Sequence, residues 1–334
     1  MNDLPKQVYR TEPPVGFRDY ALPPGASWYD LDVKAAQVVG CSGIAIPSIR
    51  VAIGWTLEYL GCRRHADHVL VPYYVGRCIL NSLGRFALPV EVPTERTRAV
   101  VAVNQFGFKQ NLDEIKTQCE ARSIPYIEDS PFGVEPNEAL GPGSLAKFVG
   151  LSKVLPVLKG GFAISEDDDL LDFMRRKRAG WSIWSWPLLC MVASLRRGLK
   201  APSYSVLADV AYELYVEAQG DNWALRGNFG RALNLAVHFS EQITSRLRRL
   251  ESALGTRLML PDASKLSSTA LFIAGEDAQF VQSTLAAAGF ESGSYHFDVR
   301  RNLFCPQYER VFLIPVGPRI PESTFEDLLA ALTS

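Results

Sequence analysis

Two side chains that could do chemistry stand at the ends of strand-like segments in the middle of the chain. Asp129 ends the run 124–129, and Lys153 ends the run 147–153. Alone, each has an ordinary explanation, because strand-end aspartates often cap helices and single lysines are nearly always solvated. The case for chemistry therefore depends on their order along the chain and on the elements that carry them.

The segments around these two residues alternate between short strands and helices. The pattern predicts strands at 69–72, 89–92, 99–103, 124–129, 147–153 and 161–164, and helices at 50–60, 75–83 and 112–122. Such alternation is typical of a mostly parallel sheet covered by helices. Because ligands bind beyond the carboxyl ends of these strands, we expect Asp129 and Lys153 to face one site, one strand apart.

The rest of the chain predicts an arm and a second domain. Paired prolines in residues 1–25 break any helix, so an irregular N-terminal arm is expected there. We expect a large domain over 26–230, with a basic, tryptophan-rich insertion at about 170–200. A smaller α+β domain is expected over 231–334, beginning with an amphipathic helix at 231–254. The predicted fold class is therefore α/β, with a mostly parallel central sheet and a smaller C-terminal α+β domain.

Composition narrows the class of protein. The 334 residues include 35 basic and 36 acidic side chains, so no global field favours nucleic acid or an anionic membrane. The six cysteines are scattered, without C-x-x-C pairs or zinc-finger spacing, which predicts reduced core cysteines and no metal site. The most apolar late stretch, 181–195, is too short for a membrane span and contains a proline. The N-terminus lacks the apolar region of a secretory signal, so a cytoplasmic protein without a membrane span is expected.

Four segments together resemble a known family. They are Pro47-Ser-Ile-Arg-Val-Ala-Ile53 with Leu60-Gly61, His68-Val-Leu-Val-Pro-Tyr-Tyr74, Asn104-Gln-Phe-Gly107 through Ile124-Pro-Tyr-Ile-Glu-Asp129, and Ser152-Lys-Val-Leu-Pro-Val-Leu-Lys-Gly-Gly161. In these segments the sequence resembles the DegT/DnrJ/StrS family of sugar aminotransferases, which use pyridoxal 5′-phosphate (PLP). The resemblance covers about residues 40–330 and implies fold type I, the fold of aspartate aminotransferase. A dinucleotide-binding Rossmann enzyme is not expected, because no G-x-G-x-x-G follows the early strands.

The resemblance implies roles for individual residues. Lys153 would form a Schiff base with the PLP aldehyde, and Asp129 would pair with the protonated pyridine nitrogen. Ser48 and Ile49, at a helix start, would bind the phosphate, and Arg50 could add a positive charge. The other positions that it assigns are Tyr74, Asn104 and Ser152 near the cofactor, and Phe132, His296 and Asn228 near the substrate.

The sequence also departs from the family pattern near the expected site. Phe132 stands where relatives carry a hydrogen-bonding Gln or His, Lys159 replaces an acidic residue, and Gly150 replaces a hydroxyl. The implied function is transfer of an amino group from an amino acid such as glutamate to a keto-sugar, within a homodimer. The departures keep two alternatives open, which are other PLP-dependent sugar chemistry such as dehydration, and a non-catalytic homologue that only binds.

Overall fold

The computed structural model describes most of the chain. The described residues are 27–39, 43–134, 139–154, 160–179, 223–260, 266–267, 269–273, 278–290, 293–317 and 320–333. The predicted N-terminal arm, Lys159 and the tryptophan-rich part of the predicted insertion lie outside these residues. The structure has a central seven-stranded sheet and a separate four-stranded sheet.

The central sheet is mostly parallel. Its strands are β1 (Ile44–Ile46), β2 (His68–Leu70), β3 (Leu88–Val90), β4 (Thr97–Val103), β5 (Tyr126–Ser130), β7 (Ala146–Gly150) and β8 (Gly161–Ile164). They lie in the order β1-β8-β7-β5-β4-β2-β3, and β8 alone runs antiparallel to its neighbours. The short strand β6 (Gly133–Val134) lies outside this sheet. The arrangement brings β5 and β7 side by side, with their carboxyl ends at the same edge.

Helices cover both faces of the central sheet. They are α1 (Trp28–Val39), α2 (Ile49–Tyr59), α3 (Arg77–Leu83), α4 (Leu112–Glu120) and α5 (Asp168–Arg178). Helix α2 is apolar around most of its surface, and eight of its residues are buried. It packs between the sheet and α5, which explains its all-round apolar sequence. On the opposite face, α4 buries Ile115 and Cys119 against β4 and β5.

Buried charges join α1 and α5 to the edge of the sheet. The Arg178 guanidinium, at the end of α5, donates to both carboxylate oxygens of Asp32 at 2.7 and 2.9 Å. It also donates to the backbone carbonyl of Ala45 in β1 at 2.6 Å. Because a buried guanidinium needs partners for its donors, these bonds fix the first helix and strand on the sheet edge.

The second sheet is antiparallel and carries its own helices. Its order is β12-β13-β11-β9, and its strands are β9 (Leu258–Met259), β11 (Thr269–Ile273), β12 (Ser294–Asp298) and β13 (Tyr308–Pro315). The helices of this part are α6 (Trp223–Leu254), α7 (Ala278–Ala287) and α8 (Glu322–Thr333). Strand β10 (Leu266–Ser267) pairs with β6 and so joins this part of the chain to the loop after β5.

The structure confirms the predicted fold class and corrects three details. The strand predicted at 147–153 ends at Gly150, and a turn replaces its last residues. The helix predicted from 231 begins at Trp223 and runs through residue 230, so the expected division at that residue stays a prediction. Helix α1 and strand β1 were not predicted; β1 has only three residues and is too short to give a periodic signal.

Candidate functional site

A tight turn after β7 carries the predicted catalytic lysine. The backbone N–H of Val154 donates to the carbonyl of Leu151 at an N–O distance of 3.0 Å, which closes the turn. Ser152 and Lys153 lie within it and are partly exposed. Because β5 is the neighbour of β7, the turn places both residues beside the end of the strand that carries Asp129.

Asp129 is almost completely buried at the carboxyl end of β5, with 1% of its surface exposed. Burial raises the pKa of its carboxyl to about 7, while the positive charges of Lys153 and Arg50 act in the opposite direction. Its Oδ1 atom is buried and has no hydrogen-bond partner among the described residues. A buried carboxylate oxygen without a partner is costly, so the position suits a ligand that brings a charged N–H donor. The protonated ring nitrogen of PLP is such a donor.

The start of helix α2 lies against the ends of β5 and β7. Ser48 caps the helix, and its hydroxyl accepts a hydrogen bond from the backbone N–H of Val51 at 3.3 Å. Gly150 makes the close approach possible, because a Cβ atom there would lie 2.9 Å from Ile49 Cδ1 and 3.2 Å from Pro131 Cα. The first turn of α2 therefore lies beside the ends of β5 and β7, and the N-terminus of a helix suits an anionic phosphate.

Tyr74 and Asn104 belong to one hydrogen-bond network at the same edge. The Tyr74 hydroxyl donates to the carbonyl of Val103 at 2.8 Å and accepts from Gln110 Nε2 at 2.7 Å. Burial raises the pKa of this hydroxyl well above its usual value. Asn104 donates to Ser130 Oγ at 2.6 Å, and its Oδ1 accepts from the Gln110 backbone N–H at 2.9 Å. The network holds the ends of β4 and β5 together and so fixes the position of Asp129.

One aromatic ring lies beside the amine of Lys153, and two further rings pack behind it. The Nζ atom lies 4.2 Å from the centre of the Phe132 ring. Phe132 packs on Phe106 with ring centres 5.4 Å apart, and Phe106 packs on Tyr295 at 5.6 Å. Phe132, predicted near the substrate, is therefore next to Lys153. Phe106 was not predicted, because its ring meets the others only in the folded chain.

The small sheet contributes strand β12 to this edge of the site. His296, predicted near the substrate, lies on β12 with an exposed side chain. Its backbone carbonyl accepts a hydrogen bond from Gln105 Nε2 at 2.7 Å. Gln105 Oε1 also accepts from the backbone N–H of Asp298 at 3.2 Å. Asn228, the remaining predicted substrate residue, lies in α6, whose side chains are described only from Phe239 onward.

In the described part of the chain, no group of three or more His, Cys, Asp or Glu side chains could hold a metal ion. Within the same residues, every helix is too short or too polar to cross a membrane.

Solved structures show the same fold over almost the whole chain. The aminotransferase TlmJ from Streptoalloteichus hindustanus is 17% identical, with 96% of each chain covered and a TM-score of 0.64. DesI, solved in the presence of its TDP-sugar product, is 14% identical over 99% of this chain and 93% of its own, with a TM-score of 0.65. A DegT DnrJ EryC1 StrS aminotransferase from Brucella abortus is 15% identical over 91% and 88%, with a TM-score of 0.60. A comparison with curated protein sequences found no match.

The fold and the site define an aminotransferase-like protein with a place for PLP. A family model described as "Putative PLP-dependent aminotransferase" matches residues 35–333. The chain therefore belongs to this family of PLP-dependent aminotransferases, and the predicted enzyme class and cofactor are confirmed. The residues present also fit the cofactor, because an unpartnered Asp129 oxygen, the Lys153 amine and the start of α2 meet at one edge of the sheet.

Proposed function

We propose that the protein transfers an amino group from an amino acid to the carbonyl of a nucleotide-linked keto-sugar. The observation that carries this proposal is a buried Asp129 oxygen without a hydrogen-bond partner at the end of β5, close to a lysine amine in the turn after the neighbouring strand β7. The sugar is suggested by the DegT/DnrJ/StrS resemblance and by DesI, which shares the fold and was solved with a TDP-sugar product. Glutamate or a similar amino acid is the proposed donor.

We propose a division of work among the residues of the site. When bound, PLP supplies an aldehyde that takes up the amino group and a ring that delocalises charge from the reacting carbon. The Lys153 amine would hold the cofactor, and its Nζ atom, once released, would move the proton at the reacting carbon. Asp129 Oδ1 would accept a hydrogen bond from the ring N–H. The helix-start residues Ser48 and Ile49, with Arg50, bind the phosphate.

The remaining predicted residues have supporting roles in this proposal. Tyr74 and Asn104 act through the network that positions the end of β5, because the polar atoms of both side chains bond to protein groups. Ser152 lies beside Lys153 in the turn and is a neighbour of the cofactor. For the substrate, we propose contacts with Phe132 and His296, and with Asn228 from helix α6.

We also propose that the protein is a homodimer in the cytoplasm. Support for the dimer comes from the family resemblance and from exposed apolar side chains near α3 and the edge strand β3, such as Leu80, Leu88 and Val92. Support for the cytoplasm comes from the cysteines, since the four in the described part of the chain are free thiols. Sedimentation of the purified full chain would test the dimer.

Absorbance spectra test the proposed reaction. Wild-type protein, Lys153→Ala and the control Lys116→Ala are each mixed with PLP and then with L-glutamate. Wild type and the control are expected to show the visible band of protein-bound PLP, and glutamate should shift it to shorter wavelength. Lys153→Ala should lack this response, and its rate of reaction with glutamate should be about 100- to 10,000-fold lower than that of the wild type. A visible band that no amino donor shifts would favour dehydration instead. The absence of a band, even with excess PLP, would support a protein that only binds.

A further inference from the structure

The immediate surroundings of the Lys153 amine are unequal in polarity. Charged groups lie nearby, because the positive charges of Lys153 and Arg50 both act on the Asp129 carboxyl. The face of the Phe132 ring lies 4.2 Å from Nζ. An aromatic face attracts an ammonium group but offers no partner to a neutral hydroxyl beyond weak contacts. A substrate group on this side therefore meets an apolar surface.

Phe132 is held in place by a second ring. Phe106 contacts its edge at 5.4 Å between ring centres and is itself 8% exposed. The backbone of Phe106 has a φ of 53° and a ψ of 22°, a left-handed conformation that is strained for a residue with a side chain. Such strain persists only where the surrounding structure determines the conformation. The Phe106 ring, which packs on Phe132, is thus fixed by the loop that carries it.

The side chain of Gln105 holds this loop in its conformation. Its buried side-chain amide makes two hydrogen bonds to the backbone of β12, through Nε2 to the carbonyl of His296 and through Oε1 to the N–H of Asp298. The same strand carries Tyr295, whose ring packs on Phe106. Loop and strand therefore hold each other, and together they fix the Phe106 ring against Phe132.

The reacting carbon of any acceptor must come close to this surface. A proton moves between Lys153 Nζ and that carbon only at about 3–3.5 Å. A substituent next to the carbon, on the Phe132 side, then lies in contact with the ring. A hydroxyl in contact with this ring would lose water partners and gain no hydrogen bond from the ring, whereas a methyl or methylene group would gain apolar contact.

We propose that Phe132 is a specificity-determining residue that makes the space beside the Lys153 amine apolar. The protein accordingly selects acceptors with an alkyl group, rather than a hydroxyl-bearing carbon, next to the carbonyl that is aminated. The statement about acceptors rests on the proposed function. The apolar character of the space does not, because it is a property of the chain's own residues.

Reductive labelling of the cofactor-free protein tests the polarity of this space. The Lys153 amine adds to an aldehyde and releases water to form an imine, and cyanoborohydride delivers hydride to the imine carbon, which leaves a secondary amine. Propanal and glycolaldehyde are the probes, because a hydroxyl in the second replaces the methyl of the first. Mass spectrometry of the digested protein measures each product at Lys153 and, as an internal reference, at Lys116, whose side chain is 39% exposed.

The ratio of propanal to glycolaldehyde product at Lys153 is expected to exceed the ratio at Lys116 by about 10- to 100-fold. Phe132→Gln should bring the two ratios together, while the apolar control Phe132→Leu should keep them apart. Equal ratios in the wild type, or no effect of the glutamine, would overturn the proposal. If circular dichroism shows that Phe132→Gln is unfolded, the wild-type comparison decides. Failure to bind PLP would refute the proposed function, but the product ratios of the cofactor-free protein would still test the polarity of the space beside Lys153.

Discussion

Replacement of Asp129 by asparagine should change how the stability of the cofactor-free protein depends on pH. Folding raises the pKa of Asp129 from 3.8 to about 7. The folded state therefore binds the proton more tightly than the unfolded state. Between these two pH values, Asp129 is ionised in the unfolded chain but still protonated in the folded chain. The free energy of unfolding therefore falls as the pH rises. Below the lower value, both states are protonated and the effect disappears.

The magnitude follows from the two pKa values. A difference of roughly 3 pKa units corresponds to about 4 kcal/mol of lost stability above neutral pH. Of this loss, about 3 kcal/mol develops between about pH 5 and pH 8. Asparagine has the same shape and does not ionise in this range. The unfolding free energy of Asp129→Asn should therefore rise, relative to that of the wild type, by about 3 kcal/mol over this interval.

Urea unfolding of both proteins at the two pH values measures the effect. A satisfied carboxylate provides the control, because Asp298 is equally buried, at 1% exposure, but accepts three backbone hydrogen bonds of 2.8 to 3.1 Å. Asp298→Asn should therefore destabilise the protein by about 1–3 kcal/mol at the higher pH. If the difference in unfolding free energy between Asp129→Asn and wild type is the same at both pH values, the buried and unpartnered state of Asp129 is refuted.

Three other substitutions test how the site is positioned. Ser48→Ala removes the cap that accepts from Val51 N–H and should lower the unfolding free energy by about 1 kcal/mol, whereas Ser48→Asn should retain it; urea unfolding compares them. Gly150→Ala places a Cβ atom 2.9 Å from Ile49 Cδ1, so the unfolding free energy should fall by about 1–3 kcal/mol. A spectroscopic titration should also show weaker binding of PLP, and unchanged binding would contradict the close approach. Gln105→Leu removes the two hydrogen bonds to the backbone of β12 and should lower the unfolding free energy by about 1–3 kcal/mol, measured by thermal or urea unfolding. An unchanged unfolding free energy would show that these hydrogen bonds are dispensable.

The sequence was sufficient to predict six of the seven strands of the central sheet, all except β1. Residues 99–103 of β4 form a continuous apolar run between helical segments, a pattern that parallel strands buried on both faces produce. In β5, only Tyr126 and Ile127 are apolar before the polar end of the strand. The turn after β7 was not predictable in this way. Leu151 and Val154 are buried at 1% and 0% exposure, so the apolar pattern continues while the backbone changes direction. Periodicity reports burial and does not distinguish a strand from a packed turn.

The site was only partly predictable, because some of its contacts join distant parts of the chain. Asp129 and Lys153 end segments that local patterns define, so their meeting followed from strand order. Gln105 bonds to β12 across 191 residues of sequence, and no local pattern indicates such a pairing. The position of the Phe132 ring over Lys153 likewise depends on the folded loop. The family resemblance identified Phe132 as unusual and placed it near the substrate, but gave no sign that its ring faces the lysine.

Location of the cofactor on the chain tests the central claim most directly. The full-length protein is loaded with PLP, reduced with borohydride, digested and examined by mass spectrometry. We expect the reduced cofactor on Lys153, and Asp129→Asn should lower the fraction that is labelled at limiting PLP. Labelling spread over exposed lysines such as Lys116, with Lys153 unmodified, would contradict the account.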